Sequence, residues 1–236
     1  MFTVPRRVAT AAQFVLDQLV PPIVRDSSWF MRLPMRLVLG RHTSRYMSFK
    51  DDVFTYTDEE FANLYRSVDT GSSLHGDTDL NQRCIDEILG NLIEGSVLEV
   101  GCGRGFLAER IAQTGRPVTA CDIVVPDGVR ERYLGVEFHE CFADNLPFAD
   151  GSFDAVVCTH VLEHVQDLHG VVAELRRVAR RQVIIVVPRQ RPYRYTFSLH
   201  IHFFPYRWSI ESAFGADDRT RIVDLDDWYY EQTLTE

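Results

Sequence analysis

At 236 residues, 45% hydrophobic and 25% charged, the chain is long enough for one α/β domain with a substantial core plus an appendage. A net charge of −9 argues against a nucleic-acid partner, and no run of about 18 apolar residues is present to form a membrane span. The five cysteines are odd in number, widely spaced and mostly in apolar runs, so they read as buried free thiols in a reducing compartment and a cytoplasmic location is expected.

Arg6 and Arg7 precede an apolar stretch from Val8 to Val20 that superficially suggests an export signal, but Gln13, Asp17 and Gln18 interrupt it. Val8, Ala11, Ala12, Val15, Leu16 and Leu19 recur at helical spacing instead, which predicts an amphipathic helix ended by Pro21-Pro22. Between Trp29 and Phe54 aromatics, arginines and methionines mix without a clear period, and the pattern predicts no element. Thr57-Asp58-Glu59-Glu60 is a capping box opening a helix through Arg66, and Asp69 to Ser73 reads as a loop. Residues 1–78 are therefore expected to be a helical segment distinct from the core in 79–236. Within the core, charge is uneven: residues 176–194 hold seven arginines and no acid, whereas the chain from Glu211 onward is acidic.

From Asp79 a regular alternation begins. Helices are predicted over Asp79–Asn91, Phe106–Gln113 and Leu168–Ala179, and strands over Val97–Val100, Pro117–Cys121, Val136–His139, Asp154–Cys158 and Gln182–Val187. Repeated strand–helix units of this length specify a doubly wound, mostly parallel sheet covered on both faces. Thr220–Leu225 and Trp228–Thr233, separated by Asp226-Asp227, read as a terminal hairpin.

The first strand stops at Glu99-Val100-Gly101-Cys102-Gly103-Arg104-Gly105. Glycines at alternate positions permit φ > 0 in a tight strand-to-helix turn and let a ligand rest on the backbone. A dinucleotide loop, G-x-G-x-x-G, would need its third glycine where Phe106 stands. Glu99 suits a cation better than a phosphate. Asp122, seventeen residues after Gly105, closes the second strand, where a carboxylate can accept both hydroxyls of a ribose.

The pattern E-x-G-x-G-x-G resembles the first motif of class I S-adenosylmethionine (SAM) methyltransferases. Phe142-Ala143-Asp144-Asn145-Leu146-Pro147-Phe148, running on to Asp154, resembles the segment that leads from the adenine pocket into their fourth strand. The chain departs from that family's frequent acid-Ala at Phe142-Ala143, which leaves the adenine contact to Asp144, to backbone groups or to Phe142 packing. Cys158-Thr159-His160-Val161-Leu162-Glu163-His164 resembles the segment facing the methionine part of SAM. Together these matches cover about residues 79–190. The resemblance implies a Rossmann-like, seven-stranded fold with an N-terminal helical lid and a closing antiparallel pair. It implies SAM as cofactor, held by Glu99, Gly101, Cys102, Gly103, Gly105, Asp122, Ile123, Phe142, Ala143, Asp144 and Thr159.

The implied reaction is O-methylation of a hydroxyl on a small acceptor, with His160, His202 and Glu163 as candidates for taking or orienting the proton. The aromatics of residues 189–208, interleaved with Arg189, Arg191 and Arg194, suit a sugar or a planar ring. More closely, the Leu199–Phe204 block and a short Arg180-Arg181-Gln182 connection resemble the mannoside O-methyltransferases of mycobacterial polysaccharide synthesis. A natural product, lipid or quinone-like ring is the alternative acceptor, and a non-catalytic SAM-binding scaffold the alternative class. His160 to His164 also matches the zinc pattern H-x-x-E-H, which requires a long helix. His200 and His202, alternating as on a strand face, admit a divalent metal, and the reading admits a homodimer.

Overall fold

The computed structural model describes residues 20–69, 78–195 and 197–234. The amphipathic helix expected before Pro21 and the loop after Asp69 lie outside the described residues. Two units divide the chain, one holding the residues up to Gly76 together with Arg191–Phe203, the other Asp77–Gln190 together with Phe204–Glu236. The segment 191–203 thus groups with the N-terminal residues, although the sequence pattern leaves it in the core.

The first unit is helical. α1 (Pro22–Arg25), α2 (Ser28–Leu39), α3 (Thr43–Asp52) and α4 (Asp58–Asp69) follow one another, filling the stretch where no period was evident. The reason is that α2 carries apolar residues on two faces, which confines its polar residues to a narrow strip at Arg32 and Arg36. The capping box forms as expected: Thr57 Oγ1 accepts from Glu60 N at 3.3 Å, while Glu60 Oε2 accepts from Thr57 N at 2.9 Å. Residues 191–203 are tied to these helices by polar bonds. Arg25 Nη2 donates to Pro192 O at 2.8 Å, Arg194 N donates to Asp26 Oδ1 at 3.0 Å, and Lys50 Nζ donates to Tyr193 O. The Lys50 ammonium also lies 4.1 Å from the centroid of Phe203.

The second unit contains the sheet. Its strands are β1 (Val97–Val100), β2 (Val118–Asp122), β3 (Val136–Glu140), β4 (Phe153–Thr159), β5 (Ala179–Pro188), β6 (Thr220–Asp224) and β7 (Asp227–Thr233). They lie in the order β3-β2-β1-β4-β5-β7-β6, parallel throughout except for β7, which is antiparallel to both β5 and β6. Every residue of β1 is buried, as is expected of a central strand covered on both faces. One apolar cluster lies around Ile88, Leu107 and Ile111, and another around Leu162, Val171 and Leu175, one for each face.

Helices α5 (Gln82–Asn91), α6 (Phe106–Ala112), α7 (Val129–Arg132), α8 (Leu168–Val178) and α9 (Arg207–Phe214) complete this unit. Two boundaries of this unit differ from expectation by more than one residue. α5 begins three residues later than the pattern predicts because Asn81 caps it, its Oδ1 accepting from Cys84 N at 3.0 Å. β5 begins at Ala179, directly after α8, so Arg180-Arg181-Gln182 is strand and not a connection. The extension comes from pairing with β4, in which Ala179 lies opposite Phe153, whereas pairing with β7 begins only at Gln182, opposite Thr233.

Candidate functional site

In an open parallel sheet, ligands bind beyond the strand C-termini where strand order reverses, here between β1 and β4. Every expected cofactor residue lies beyond or at the C-terminal ends of β1 to β4. Glu99 is in β1, with Gly101, Cys102, Gly103 and Gly105 in the loop after it. Asp122 ends β2 and Ile123 follows; Phe142, Ala143 and Asp144 follow β3; Thr159 ends β4.

The glycine loop is held by backbone bonds. Gly101 N and Cys102 N both donate to Cys121 O, at 2.7 and 3.0 Å, and Gly105, with φ of 76°, leads into α6. A Cβ on Gly101 would stand 1.9 Å from Val161 Cγ2, so the turn after β4 packs directly on this loop. Asp122 Oδ2 accepts from Gly103 N at 2.7 Å, which fixes the second carboxylate against the loop.

Electrostatically the site is acidic. Glu99 is fully buried, its Oε2 has no hydrogen-bond partner, and burial followed by the nearby Asp122 charge pushes its carboxyl well above the usual range. An unsatisfied buried acceptor beside a second carboxylate is costly in isolation, and a cationic ligand group would relieve both penalties. That chemistry fits the ammonium and sulfonium of SAM and opposes a phosphate.

The segment after β3 is clamped by a pair that the sequence pattern did not single out. Arg177, in α8, donates to Leu146 O at 3.0 Å, Phe148 O at 2.7 Å and Asp150 Oδ1 at 2.8 Å. Its Nε also bonds Glu174 Oε1 at 2.6 Å, and Glu174 Oε2 accepts from Leu146 N at 2.9 Å. Replacing Arg177 by Met is expected to cost about 1–2 kcal/mol, the value of several charge-assisted bonds reduced for partial exposure. Urea unfolding checks this; an unchanged midpoint would show that the clamp holds nothing.

His160 lies just past β4 at φ of 54°, its N–H donating to Val186 O at 2.9 Å. The ring sits between two carboxylates, with Nδ1 3.3 Å from Glu163 Oε1 and Nε2 3.7 Å from Asp227 Oδ2. Burial alone would lower its pKa, but Asp227 and Glu163 outweigh burial and push it up to about 10. An imidazole in that range already carries its proton at neutral pH, which suits it poorly to the role of base expected from the sequence. Residues 161–164 form a turn, so His160 and His164 do not occupy one helix face and the zinc-peptidase reading fails.

His202 belongs to the first unit, and residues 199–205 form no strand, so the alternation that would pair His200 with His202 on one face is absent. Asp227 is the residue missed by sequence reasoning. An Asp-Asp pair signals only a turn, whereas here Asp227 starts β7 and also accepts from Asn81 Nδ2 at 2.9 Å.

The strand order, the glycine loop after β1 and the acid ending β2 define a Rossmann-like methyltransferase fold. Comparison with known proteins gives the same class. A family model for a methyltransferase domain matches residues 98–187. The ubiquinone biosynthesis O-methyltransferase of Bordetella avium is 34% identical over 110 residues, 42% of this chain and 44% of that protein. A probable S-adenosylmethionine-dependent methyltransferase of Mycobacterium tuberculosis is 40% identical over 104 residues, 43% of this chain and 37% of its own. Less than half the length of each of these two relatives is matched. The crystal structure of a SAM-dependent methyltransferase from Aquifex aeolicus, 15% identical, superposes with a TM-score of 0.53 over 76% of this chain and 100% of that one, a likeness of fold. Residues 98–187 thus match a methyltransferase domain, and the relatives that share this stretch include SAM-dependent methyltransferases. The narrower resemblance to mycobacterial mannoside methyltransferases finds no support in the names of these relatives.

Proposed function

We propose that the chain transfers a methyl group from SAM to a hydroxyl of a small acceptor. The observation that carries this reading is the acidic strand edge: Glu99, buried with an unpartnered oxygen, beside Asp122 and the open glycine loop. Glu99 would face the cationic methionine end of the cofactor, Gly103 would let it approach the backbone, and Asp122 would accept the ribose hydroxyls. Phe142, Ala143 and Asp144 would flank the adenine, with Ile123 against its edge and Thr159 toward the methionine end. SAM supplies an activated methyl with its leaving group in place, so the protein has to align the acceptor, exclude water and take a proton.

The acceptor most in keeping with the relatives is a phenolic hydroxyl on a quinone-like ring, because the ring delocalises the phenolate charge and so lets the proton leave at lower cost than from a sugar hydroxyl, and the B. avium relative is named for ubiquinone synthesis. A sugar hydroxyl is the second reading, favoured by the aromatic and basic residues of 189–208, among which Tyr193 and Phe203 lie 5.5 Å apart. Of the proton acceptors drawn from the sequence, His160 is the least suited, since it holds its own proton. Single substitutions of His202 and Glu163 by Gln, assayed for kcat against pH at saturating acceptor, test the other two.

Calorimetric titration with S-adenosylhomocysteine tests the cofactor assignment. Micromolar binding is expected for the wild type and a loss of about 10- to 100-fold for Asp122→Ala, the value of one or two charge-assisted hydrogen bonds. Unaltered affinity in that variant would remove Asp122 from the site. Labelled SAM offered with a catechol-type quinol precursor and, separately, with mannosides would then choose between the acceptors.

A further inference from the structure

Among the described residues, the outer face of α2 takes no part in the packing of the first unit. The helix is apolar on two opposite sides. Met31 and Met35, both 0% exposed, face inward onto Tyr195, whereas Trp29, Leu33 and Leu37, at i, i+4 and i+8, are 74%, 66% and 78% exposed. Ile23 in α1, 85% exposed, adds to the apolar surface. Single exposed apolar residues are ordinary on a protein surface, but three in a helical stripe, one of them tryptophan, are not.

The charges on α2 and through the following turn are of one sign. Residues 28–49 hold Arg32, Arg36, Arg41 and Arg45 and no aspartate or glutamate, in a chain whose net charge is −9. All four arginines are exposed. An apolar ridge flanked by arginines and headed by an indole is the composition of a helix that lies in a membrane interface, with its apolar side chains among the acyl carbons and its guanidinium groups at the phosphates. The twelve residues of α2 extend about 18 Å, well short of the ~30 Å that a membrane span needs. Among the described residues no helix is long and apolar enough to cross a membrane. A second copy of the chain fits the same face poorly, because a two-fold interface would set arginine against arginine.

We propose that the Trp29–Leu33–Leu37 face of α2 docks this protein peripherally on a bilayer containing anionic lipid. The attraction is hydrophobic along the stripe and electrostatic along the arginines, so binding requires both and weakens with salt. The inference is independent of the methyl acceptor, although a surface-docked enzyme would be placed to reach an acceptor embedded in lipid.

The test is flotation of the full chain with two kinds of unilamellar vesicle, pure phosphatidylcholine and phosphatidylcholine with roughly one-quarter phosphatidylglycerol. The wild type is expected to float with the anionic vesicles at low salt, less with the neutral ones, and to be released as salt is raised. The double variant Leu33→Asp, Leu37→Asp is expected to lose binding about 10-fold or more, and Arg32→Gln, Arg36→Gln to lose the preference for the anionic vesicles. Because all four side chains are exposed, the melting temperatures should match the wild type. Failure of the wild type to float with anionic vesicles overturns the proposal. So does undiminished flotation of the aspartate variant, or a wild-type dimer that this variant converts to monomer, which would make the stripe a self-interface.

Discussion

Replacing His160 by alanine is expected to lower folding stability at neutral pH by about 3–5 kcal/mol, the cost of removing one partner from a buried ion pair. The imidazole stands between Glu163, whose side chain is 0% exposed, and Asp227, and without it the two carboxylates face each other across a low-dielectric gap. His160→Asn separates two contributions. Asparagine tolerates the positive φ at this position, so the loss that remains reports the missing charge.

The pH dependence has a definite sign. The folded-state pKa is raised from 6.5 to about 10, so the stabilisation is complete below the unfolded-state value and is lost as pH rises through about 10. The difference in unfolding free energy between wild type and His160→Asn should therefore be largest at pH near 6 and shrink steadily toward pH near 10. Urea denaturation of both proteins across that range measures it. Parallel stability profiles would show that His160 is not held charged, and would return it to consideration as a base.

Gly101→Ala is the second substitution of large effect. The added methyl would lie 1.9 Å from Val161 Cγ2, and the backbone at φ of 81° disfavours any side chain. Val161 is β-branched and stiff, so the turn after β4 would have to move and carry His160 with it. A cost of about 2–4 kcal/mol is expected from strain and overpacking together, with S-adenosylhomocysteine binding reduced at least about 100-fold as the loop shifts. Gly103→Ala provides the contrast. Nothing stands within 4 Å of its Cβ position, so folding should suffer only the ~1 kcal/mol penalty of the left-handed backbone. If Gly103 is where the cofactor rests on the loop, that variant should still lose affinity for S-adenosylhomocysteine. Thermal melts of both variants, paired with calorimetry, distinguish a damaged fold from a blocked site; equal melting temperatures for the two would contradict the packing described.

The parallel strands and the glycine loop were legible in the sequence because their signals are local. Val97 to Val100 is an apolar run broken only by Glu99, and the alternate glycines after it are explicable by few structures other than a tight strand-to-helix turn. Asp122 at a strand end and the capping box at Thr57 belong to the same kind of signal. α2 was not legible, since Met31 and Met35 bury one face while Trp29, Leu33 and Leu37 leave another apolar, and the polar strip of Arg32 and Arg36 between them is too narrow to read as a solvent face against the mixed residues on either side.

The chemistry-bearing residues that escaped the sequence did so because contacts between distant segments define them. Asp227 is 67 positions after His160, and it arrives beside that histidine only because β7 runs antiparallel to β5, which puts the start of β7 at the edge where the parallel strands end. Arg177 is one of seven arginines in a basic run that reads as solvated surface, and only the docking of α8 under residues 146–150 turns it into a clamp. The sequence by itself determined the class of fold, the succession of strands and helices along the core and the place of the glycine loop after the first strand, because backbone propensity and apolar periodicity are properties of neighbouring residues. Tertiary structure alone decided the charge state of His160 and the partners of the acids around it, because a pKa depends on burial and on charges brought close in space, and neither is written in local order.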